Sequence, residues 1–213
     1  QNKHLFTLIL LLPILFWFKY CEAALVPEYI IHTTLDDKIP FVKEFVVPYL
    51  LWFAYVAFGL IYTGLHSRQD YYKLYIFLAA GMSICYTLYM FFPNAQDLRV
   101  EITGSDIFSR LVKFMYTVDT PTNVCPSVHV LNTIAVDSSL RNSDSFSRIK
   151  YGKAVSSVMV ISICLSTILI KQHSVVDVVG AVLLAMLLYI PLYGMPKVRQ
   201  LSQRAANYTS EEL

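Results

Sequence analysis

The chain has 213 residues, of which 56% are hydrophobic and only 15% are charged. This balance excludes an ordinary soluble domain, in which about a quarter of the residues carry a charge. The formal net charge of +2 is too small to indicate a nucleic-acid partner. Because the apolar residues are grouped in long uncharged runs, we expect a single all-α integral membrane domain over residues 1–213.

In chain order, six apolar segments predict six transmembrane helices, at about 5–21, 46–65, 74–92, 124–140, 154–170 and 174–195. The segments 46–65 and 74–92 carry no charge and approach the roughly 20 residues that a helix needs to cross the hydrocarbon core. The other four are shorter or contain a polar residue. For the first segment a signal peptide is the alternative, since Lys3 precedes its apolar core and Ala23 and Ala24 follow it.

Two further segments predict structure along the membrane surface. Residues 22–45 are too mixed in composition to span the bilayer. Residues 105–116 place apolar side chains on one helical face, as an interfacial helix does. Plain loop packing is the alternative for both segments.

The lysines and arginines predict the orientation in the membrane. Ten of the seventeen lie in the N-terminal segment, 66–73, 141–153 and the tail from 196, namely Lys3, Arg68, Lys73, Arg141, Arg148, Lys150, Lys153, Lys197, Arg199 and Arg204. Cytoplasmic loops are enriched in these residues. We therefore expect a multi-pass protein of the plasma membrane with both termini in the cytoplasm and residues 94–123 and 171–173 outside.

The first candidate site is the segment 123–132, which begins the fourth predicted helix. Pro126 is typical of the first helical position, so Cys125 would lie near the N-cap and the amides around Ser127 and Val128 would open outward. Helix N-termini attract anions, phosphate above all. His129 would lie one turn further on, within reach of a bound anion, although a single histidine is more often structural.

The second candidate site begins the last predicted helix. His173 and Asp177 are four residues apart, so the carboxylate can accept a proton from one imidazole nitrogen and fix the tautomer of the ring. A lone aspartate costs about 2.5–3.5 kcal/mol to insert in lipid, so Asp177 requires a partner. A purely structural pair is the alternative. Together with His129, this pair forms a complete set for phosphoryl transfer through a phosphohistidine.

These residues resemble the type 2 phosphatidic acid phosphatase superfamily, whose motifs run K-x6-R-P, P-S-G-H and S-R-x5-H-x3-D. The matching stretches are Cys125-Pro126-Ser127-Val128-His129 and Ser166-Thr167-x5-His173-x3-Asp177. The resemblance implies a haloperoxidase-like helical core and a metal-independent lipid phosphatase without a cofactor. His173 would be the nucleophile, Asp177 its orienting partner, His129 the acid, and Ser127 a ligand of the phosphate.

The sequence departs from this family at four motif positions. Of the first motif only Arg99 remains, with Phe92 in place of the lysine and Val100 in place of the proline. Val128 replaces the glycine of the second motif, and Thr167 replaces the arginine of the third. An active enzyme would therefore need other cations.

Arg99 and Lys171 are the best candidates for these cations, with Arg110 and Lys113 in reserve. For Lys171, a charge that reaches to the outer membrane surface is an equally good interpretation. The Ser-Thr before the third motif is similar to the inositol phosphorylceramide synthase-like branch, whose members transfer the head group to a lipid alcohol.

The sequence thus predicts a membrane lipid phosphatase that acts on a lipid phosphate or diphosphate at the outer face. Lipid phosphotransfer is the alternative within the enzymes, and a non-catalytic lipid-phosphate binder is the alternative outside them. A metal site made of His129, His173 and Asp177 is a weaker hypothesis. No feature of the sequence specifies an oligomeric state.

Overall fold

The computed structural model of the chain describes residues 3–195, and most of them are helical. The α-helices in this range are α1 (Leu12–Ala24), α2 (Thr34–Lys38), α3 (Val46–His66), α4 (Arg68–Phe91), α5 (Ile107–Val118), α6 (Val128–Asn142), α7 (Asp144–Ser147), α8 (Gly152–Leu169) and α9 (Val175–Tyr189). A 3₁₀ segment, Lys3–Leu11, leads into α1, another 3₁₀ turn, Lys43–Phe45, precedes α3, and a π-helical turn, Ile190–Gly194, follows α9.

Two short strands add to the helices, one of them within the predicted surface segment 22–45. Strand β1 (Tyr29–Ile30) pairs in parallel with β2 (Asn94–Ala95), with Tyr29 opposite Asn94 and Ile30 opposite Ala95. This pairing attaches the segment after α1 to the segment after α4.

Within the described residues, five helical stretches are long and apolar enough to cross a membrane: Lys3–Ala24, Lys43–His66, Arg68–Phe91, Gly152–Leu169 and Val175–Gly194. The prediction of a helical membrane protein is confirmed at this level. The segment predicted as the fourth span, 124–140, is different because α6 has only 15 residues. At 1.5 Å per residue it is about 22 Å long, shorter than the roughly 30 Å hydrocarbon core.

Helix α6 is instead the centre of the bundle, where it packs against α3, α4, α8 and α9. Its side chains Leu131, Ala135 and Val136 are completely buried. At Gly59 the backbone of α3 approaches α6 so closely that a Cβ atom there would lie 2.7 Å from a methyl group of Val136. The position of α6 is therefore determined by contacts with four neighbouring helices.

The outward faces of the long helices are apolar. Large exposed hydrophobic side chains on α1, α3, α8 and α9 include Phe16, Phe53, Ile61, Val155, Ile161, Leu183 and Leu187. An apolar surface of this extent is typical of contact with lipid. Because each helix satisfies its own backbone hydrogen bonds, these faces can be covered by acyl chains.

The bundle has two ends that differ in structure. The turn end contains the α3–α4 connection and residues 142–152, which line one shared cavity of about 900 Å³ through residues such as His66 and Arg148. The loop end contains residues 22–45, 92–127 and 170–175. There the side-chain amide of Asn123 donates to the Cys21 carbonyl at 3.2 Å, which joins the end of α1 to the segment before α6.

Candidate active site

The His173–Asp177 pair forms at the start of α9. Nδ1 of His173 lies 3.1 Å from Oδ2 of Asp177, and the backbone amide of Ser174 donates to the same oxygen at 2.9 Å. Ser174 is the N-cap of α9, and Asp177 is the third helical residue of a capping box. Asp177 is completely buried and His173 is 7% exposed, so the pair is shielded from water.

His129 enters the same region from the first turn of α6. The N-cap of this helix is Ser127, whose hydroxyl accepts a hydrogen bond from the Val130 amide at 3.4 Å. Serine is a favoured N-cap, so the helix begins two residues later than the predicted start at Pro126. The Ser127 amide donates to the Asp177 backbone carbonyl at 3.1 Å, which joins the starts of α6 and α9.

Ser127 is completely buried and both its amide and its hydroxyl already have partners within the protein. Its role as a phosphate ligand stays a prediction. The loop before it is held by Asn94, whose side-chain carbonyl accepts from the amides of Val124 and Cys125 at 2.8 and 2.9 Å. The Tyr89 hydroxyl adds a hydrogen bond of 2.6 Å to the Pro126 carbonyl.

His129 and His173 line one cavity of about 300 Å³, and their ring centroids are 5.7 Å apart. Most of the remaining wall is apolar and comes from α1, α3, α4 and α5, including Leu15, Phe18, Phe53, Met82, Met115 and Val118. The arrangement therefore places two titratable rings at one part of a chamber that is otherwise suited to hydrocarbon.

Asp119, at the end of α5, is a cavity residue that the motifs did not predict. Its Oδ2 atom lies 3.9 Å from Nε2 of His129 and accepts a hydrogen bond from the Tyr49 hydroxyl. The side-chain amide of Gln172 donates to the same oxygen at 3.2 Å. No local signal identifies Asp119, because its partners are brought together only by the packing of α3, α5 and α6.

Arg99 contacts this network from the side of α5. Its Nε donates to the Gln172 side chain at 2.9 Å, Nη1 donates to the Tyr116 carbonyl at 2.8 Å, and Nη2 donates to the Asp119 carbonyl. Its guanidinium also lies 4.4 Å from the ring centroid of Tyr116. Burial lowers the pKa of Arg99, and the Asp119 carboxylate opposes this shift.

Lys171 is oriented towards backbone carbonyl groups. Its Nζ donates to the carbonyls of Asp36 and Ile39, each at 2.6 Å, at the end of α2. A cation is favourable at this position because helix C-termini carry partial negative charge. Neither Arg99 nor Lys171 lines the cavity with the two histidines. Both stay predicted phosphate ligands that would have to leave these acceptors to bind an anion.

The remaining predicted cations also have local partners. Arg110 donates to the Ser105 carbonyl at 2.8 Å and Lys113 to the Gly104 carbonyl at 3.1 Å. Of the lysines and arginines in the described part of the chain, it is Lys19 of α1 that lines the cavity, and it forms an ion pair of 2.6 Å with Glu22. The sequence analysis did not identify Lys19, because it lies outside the family motifs.

Two departures from the motifs have structural consequences. Phe92, where the family has lysine, stacks on Tyr29 with ring centroids 3.9 Å apart. Thr167, where the family has arginine, is buried, and its hydroxyl donates to the Cys164 carbonyl at 2.8 Å. The Thr167 carbonyl accepts from the His173 amide at 2.9 Å. This position therefore fixes the backbone of His173 without supplying a charge.

Asp36 supports the loop that carries His173. Its carboxylate accepts hydrogen bonds from the Ser174 hydroxyl at 2.7 Å and from the Val175 amide at 2.8 Å. It also accepts from the amide and the hydroxyl of Thr33, both at 2.8 Å. Burial by itself would raise the pKa of Asp36, but these hydrogen bonds outweigh burial and lower the pKa below its usual value.

Among residues 3–195, no group of three or more His, Cys, Asp or Glu side chains is arranged to hold a metal ion. Comparison of the chain with protein-family models, curated proteins and solved structures found no match. A functional assignment therefore depends on the residues of the site themselves.

Proposed function

We propose that the protein is a membrane lipid phosphatase that acts through a phosphohistidine on His173. The observation that carries this proposal is the arrangement of three groups: His173 paired with the buried Asp177, and His129 at 5.7 Å between ring centroids across one cavity. Since Asp177 binds Nδ1, Nε2 of His173 is the nitrogen left to act as a nucleophile.

The proposed reaction has two steps. In the first, Nε2 of His173 attacks phosphorus, the bond from phosphorus to the ester oxygen breaks, and His129 gives that oxygen a proton. In the second, water attacks phosphorus, the phosphorus–nitrogen bond breaks, and His129 accepts a proton from the water. A nucleophile requires about 3–3.5 Å to the reacting atom, and an acid requires about 2.6–3.2 Å to the leaving oxygen. The two rings line the same cavity with their centroids 5.7 Å apart, so both face the space in which the phosphate would bind.

A lipid substrate is favoured by the surroundings of the histidines. The cavity wall is mainly apolar, and α1 and α3, which contribute to it, also carry the exposed apolar side chains of the bundle surface. An acyl or prenyl chain can therefore lie against the wall while its phosphate contacts the histidines. We place the site at the outer face of the plasma membrane, from the distribution of lysine and arginine.

The test is phosphate release by the purified protein in detergent with EDTA present, from phosphatidic acid, phosphatidylglycerophosphate and undecaprenyl diphosphate. We expect His173→Ala to lower the rate by about 10³-fold or more, since loss of a nucleophile removes the covalent route. His66→Ala at the turn end is the matched control and should retain the rate. Equal rates for His173→Ala and the unchanged protein would refute the nucleophile.

Further measurements separate the alternatives. Labelled phosphate trapped on histidine would identify the covalent intermediate, and transfer to an added lipid alcohol would indicate a phosphotransferase. Loss of activity in EDTA would favour a metal-dependent reaction. Binding of lipid phosphate without turnover would indicate a non-catalytic binder, a candidate supported by the hydrogen bonds that hold Arg99 and Lys171 to protein acceptors.

A further inference from the structure

Asp119 is the cavity residue to which the proposed reaction gives no role. Among residues 3–195 it is the one carboxylate with an oxygen within 4 Å of a ring nitrogen of His129, at 3.9 Å from Nε2. Its side chain is 24% exposed, and that of His129 is 14% exposed. The two groups therefore face each other at positions partly shielded from water, where a charge–charge interaction is stronger than at an open surface.

The carboxylate of Asp119 is held in place from several directions. The buried Tyr49 hydroxyl and the Gln172 amide both donate to Oδ2. Arg99 binds the backbone carbonyl of Asp119 and also the side-chain oxygen of Gln172, so it fixes the residue and its partner together. Donors from three separate segments of the chain thus hold Asp119, two at its carboxylate and one at its backbone carbonyl.

The ring of His129 has surroundings that disfavour its charged form. Its centroid lies 4.6 Å from that of Tyr49 and 4.4 Å from that of Trp52. The imidazole of His173 also faces His129, and a protonated His173 would repel a positive charge on His129. Burial among such groups favours a neutral imidazole, which is a much weaker acid than the imidazolium.

We propose that Asp119 is the positioning carboxylate of His129 and favours the protonated form of that histidine, against the effect of burial, for its role as general acid. The site would then contain two His–Asp pairs, His173 with Asp177 and His129 with Asp119, each serving one histidine. Arg99 would act on the reaction through Asp119 and Gln172 instead of through the phosphate. This inference rests on the proposed function for the role of His129, but the pairing itself is measurable without turnover.

The first experiment is an NMR titration of the histidines in detergent micelles, with the His129 signal assigned by its loss in His129→Gln. An opposite charge within about 4–6 Å favours the protonated form by about 1–3 pH units. We therefore expect Asp119→Asn to move the titration midpoint of His129 down by about one unit or more. Asp97→Asn, which removes an exposed carboxylate elsewhere at the loop end, is the matched control and should leave it in place.

The second experiment is the pH–rate profile with the lipid phosphate that the unchanged protein hydrolyses. Activity that requires protonated His129 declines as the pH rises through the titration midpoint of His129. Asp119→Asn should therefore move this decline to lower pH by as much as it moves the midpoint in the NMR titration. Asp119→Glu, which restores the charge, should move it back. An Asp119→Asn variant with the original titration midpoint would overturn the inference. Absence of phosphate release by the unchanged protein, with the midpoint shifted, would instead refute the proposed function alone.

Discussion

Among the lysines and arginines in the part of the chain that the structure describes, Lys19 alone lines the cavity with His129 and His173. Its side chain is 66% exposed, and it pairs with Glu22, whose side chain is only 8% exposed. By contrast, Lys171 is buried and donates to two backbone carbonyls. Lys19 is therefore the more accessible of the two lysines and the better candidate to bind a substrate phosphate.

We predict that Lys19→Met lowers kcat/KM for a lipid phosphate by about 10–100-fold, since a hydrogen bond to a charged group contributes about 1.5–3 kcal/mol. Initial rates over a range of substrate concentrations measure this effect. Lys113→Met is the matched control, because Lys113 is an exposed lysine that lies outside the cavity. Equal losses in the two variants would mean that Lys19 contributes only to the general surface charge.

At the residue scale, the sequence predicts the groups that lie close along the chain and fails for those joined by packing. The contact between His173 and Asp177 follows from their spacing, although it forms through the capping box and not along one helical face, since His173 precedes the N-cap. Asp119 approaches His129 across ten residues and two helices. Nothing in the local sequence around Asp119 indicates that contact.

At the scale of elements, α2 illustrates how a short helix can control a distant loop. Its residue Asp36 caps α9 through Val175 and binds the Ser174 hydroxyl, while Lys171 caps the end of α2. The loop that carries His173 is thus attached to residues 22–45 from both sides. For residues 22–45 the sequence predicts only an interfacial segment. The mixed composition of this segment does not indicate which residues it contacts.

We predict that Asp36→Ala lowers the free energy of unfolding by about 0.5–2 kcal/mol, the usual effect of removing an N-terminal cap, and also lowers activity. The pKa of Asp36 is lowered on folding, so its stabilising contribution is present above the unfolded value near 3.8 and disappears as the pH falls through the folded value. Thermal unfolding in detergent should therefore show a constant difference between the two proteins at neutral pH that narrows only below about pH 4. Asp37→Ala, which removes an exposed neighbour paired with His32, should have a smaller effect. A larger effect of Asp37→Ala would contradict the role of Asp36.

The helix boundaries show which sequence signals were reliable. Helix α3 was predicted at 46–65 and is found at Val46–His66, because an uncharged run defines both ends. Helix α4 begins at Arg68 instead of 74, since its first turns are charged and the Ser67 side chain caps them. Apolar composition indicates the part of a helix within the membrane and misses polar turns that continue it beyond the lipid.

At the scale of the whole molecule, α6 runs from the loop end to the turn end, but within residues 3–195 it is not among the five stretches that are long and apolar enough to cross a membrane. Its polar residues are accommodated inside the bundle: Asp137 pairs with Arg141 at 2.6 Å and accepts a hydrogen bond from Ser156 of α8. A helix surrounded by four others does not need to match the thickness of the membrane. Helix α6 can therefore be shorter than a lipid-facing span, and its sequence can be less apolar.

The last prediction concerns the orientation of the two ends. The turn end carries basic residues, among them Arg68, Lys73, Arg148, Lys150 and Lys153, and its two connections line one cavity. The loop end carries exposed carboxylates, including Asp37 and Asp97. Because positive residues remain on the cytoplasmic side, we expect the turn end inside the cell and the histidines at the outer face.

Single added cysteines can test this orientation in intact cells with a membrane-impermeant maleimide. Glu101→Cys and Ser105→Cys, at exposed positions of the loop end, should react directly. Gln69→Cys and Ser147→Cys, at exposed positions of the turn end, should react only after the membrane is permeabilised. The four native cysteines are buried or half-buried, so the unchanged protein provides the background. The reverse pattern would place the histidines at the cytoplasmic face and make a cytoplasmic lipid phosphate the substrate to test, whereas labelling of both ends from one side would contradict a bundle that crosses the membrane.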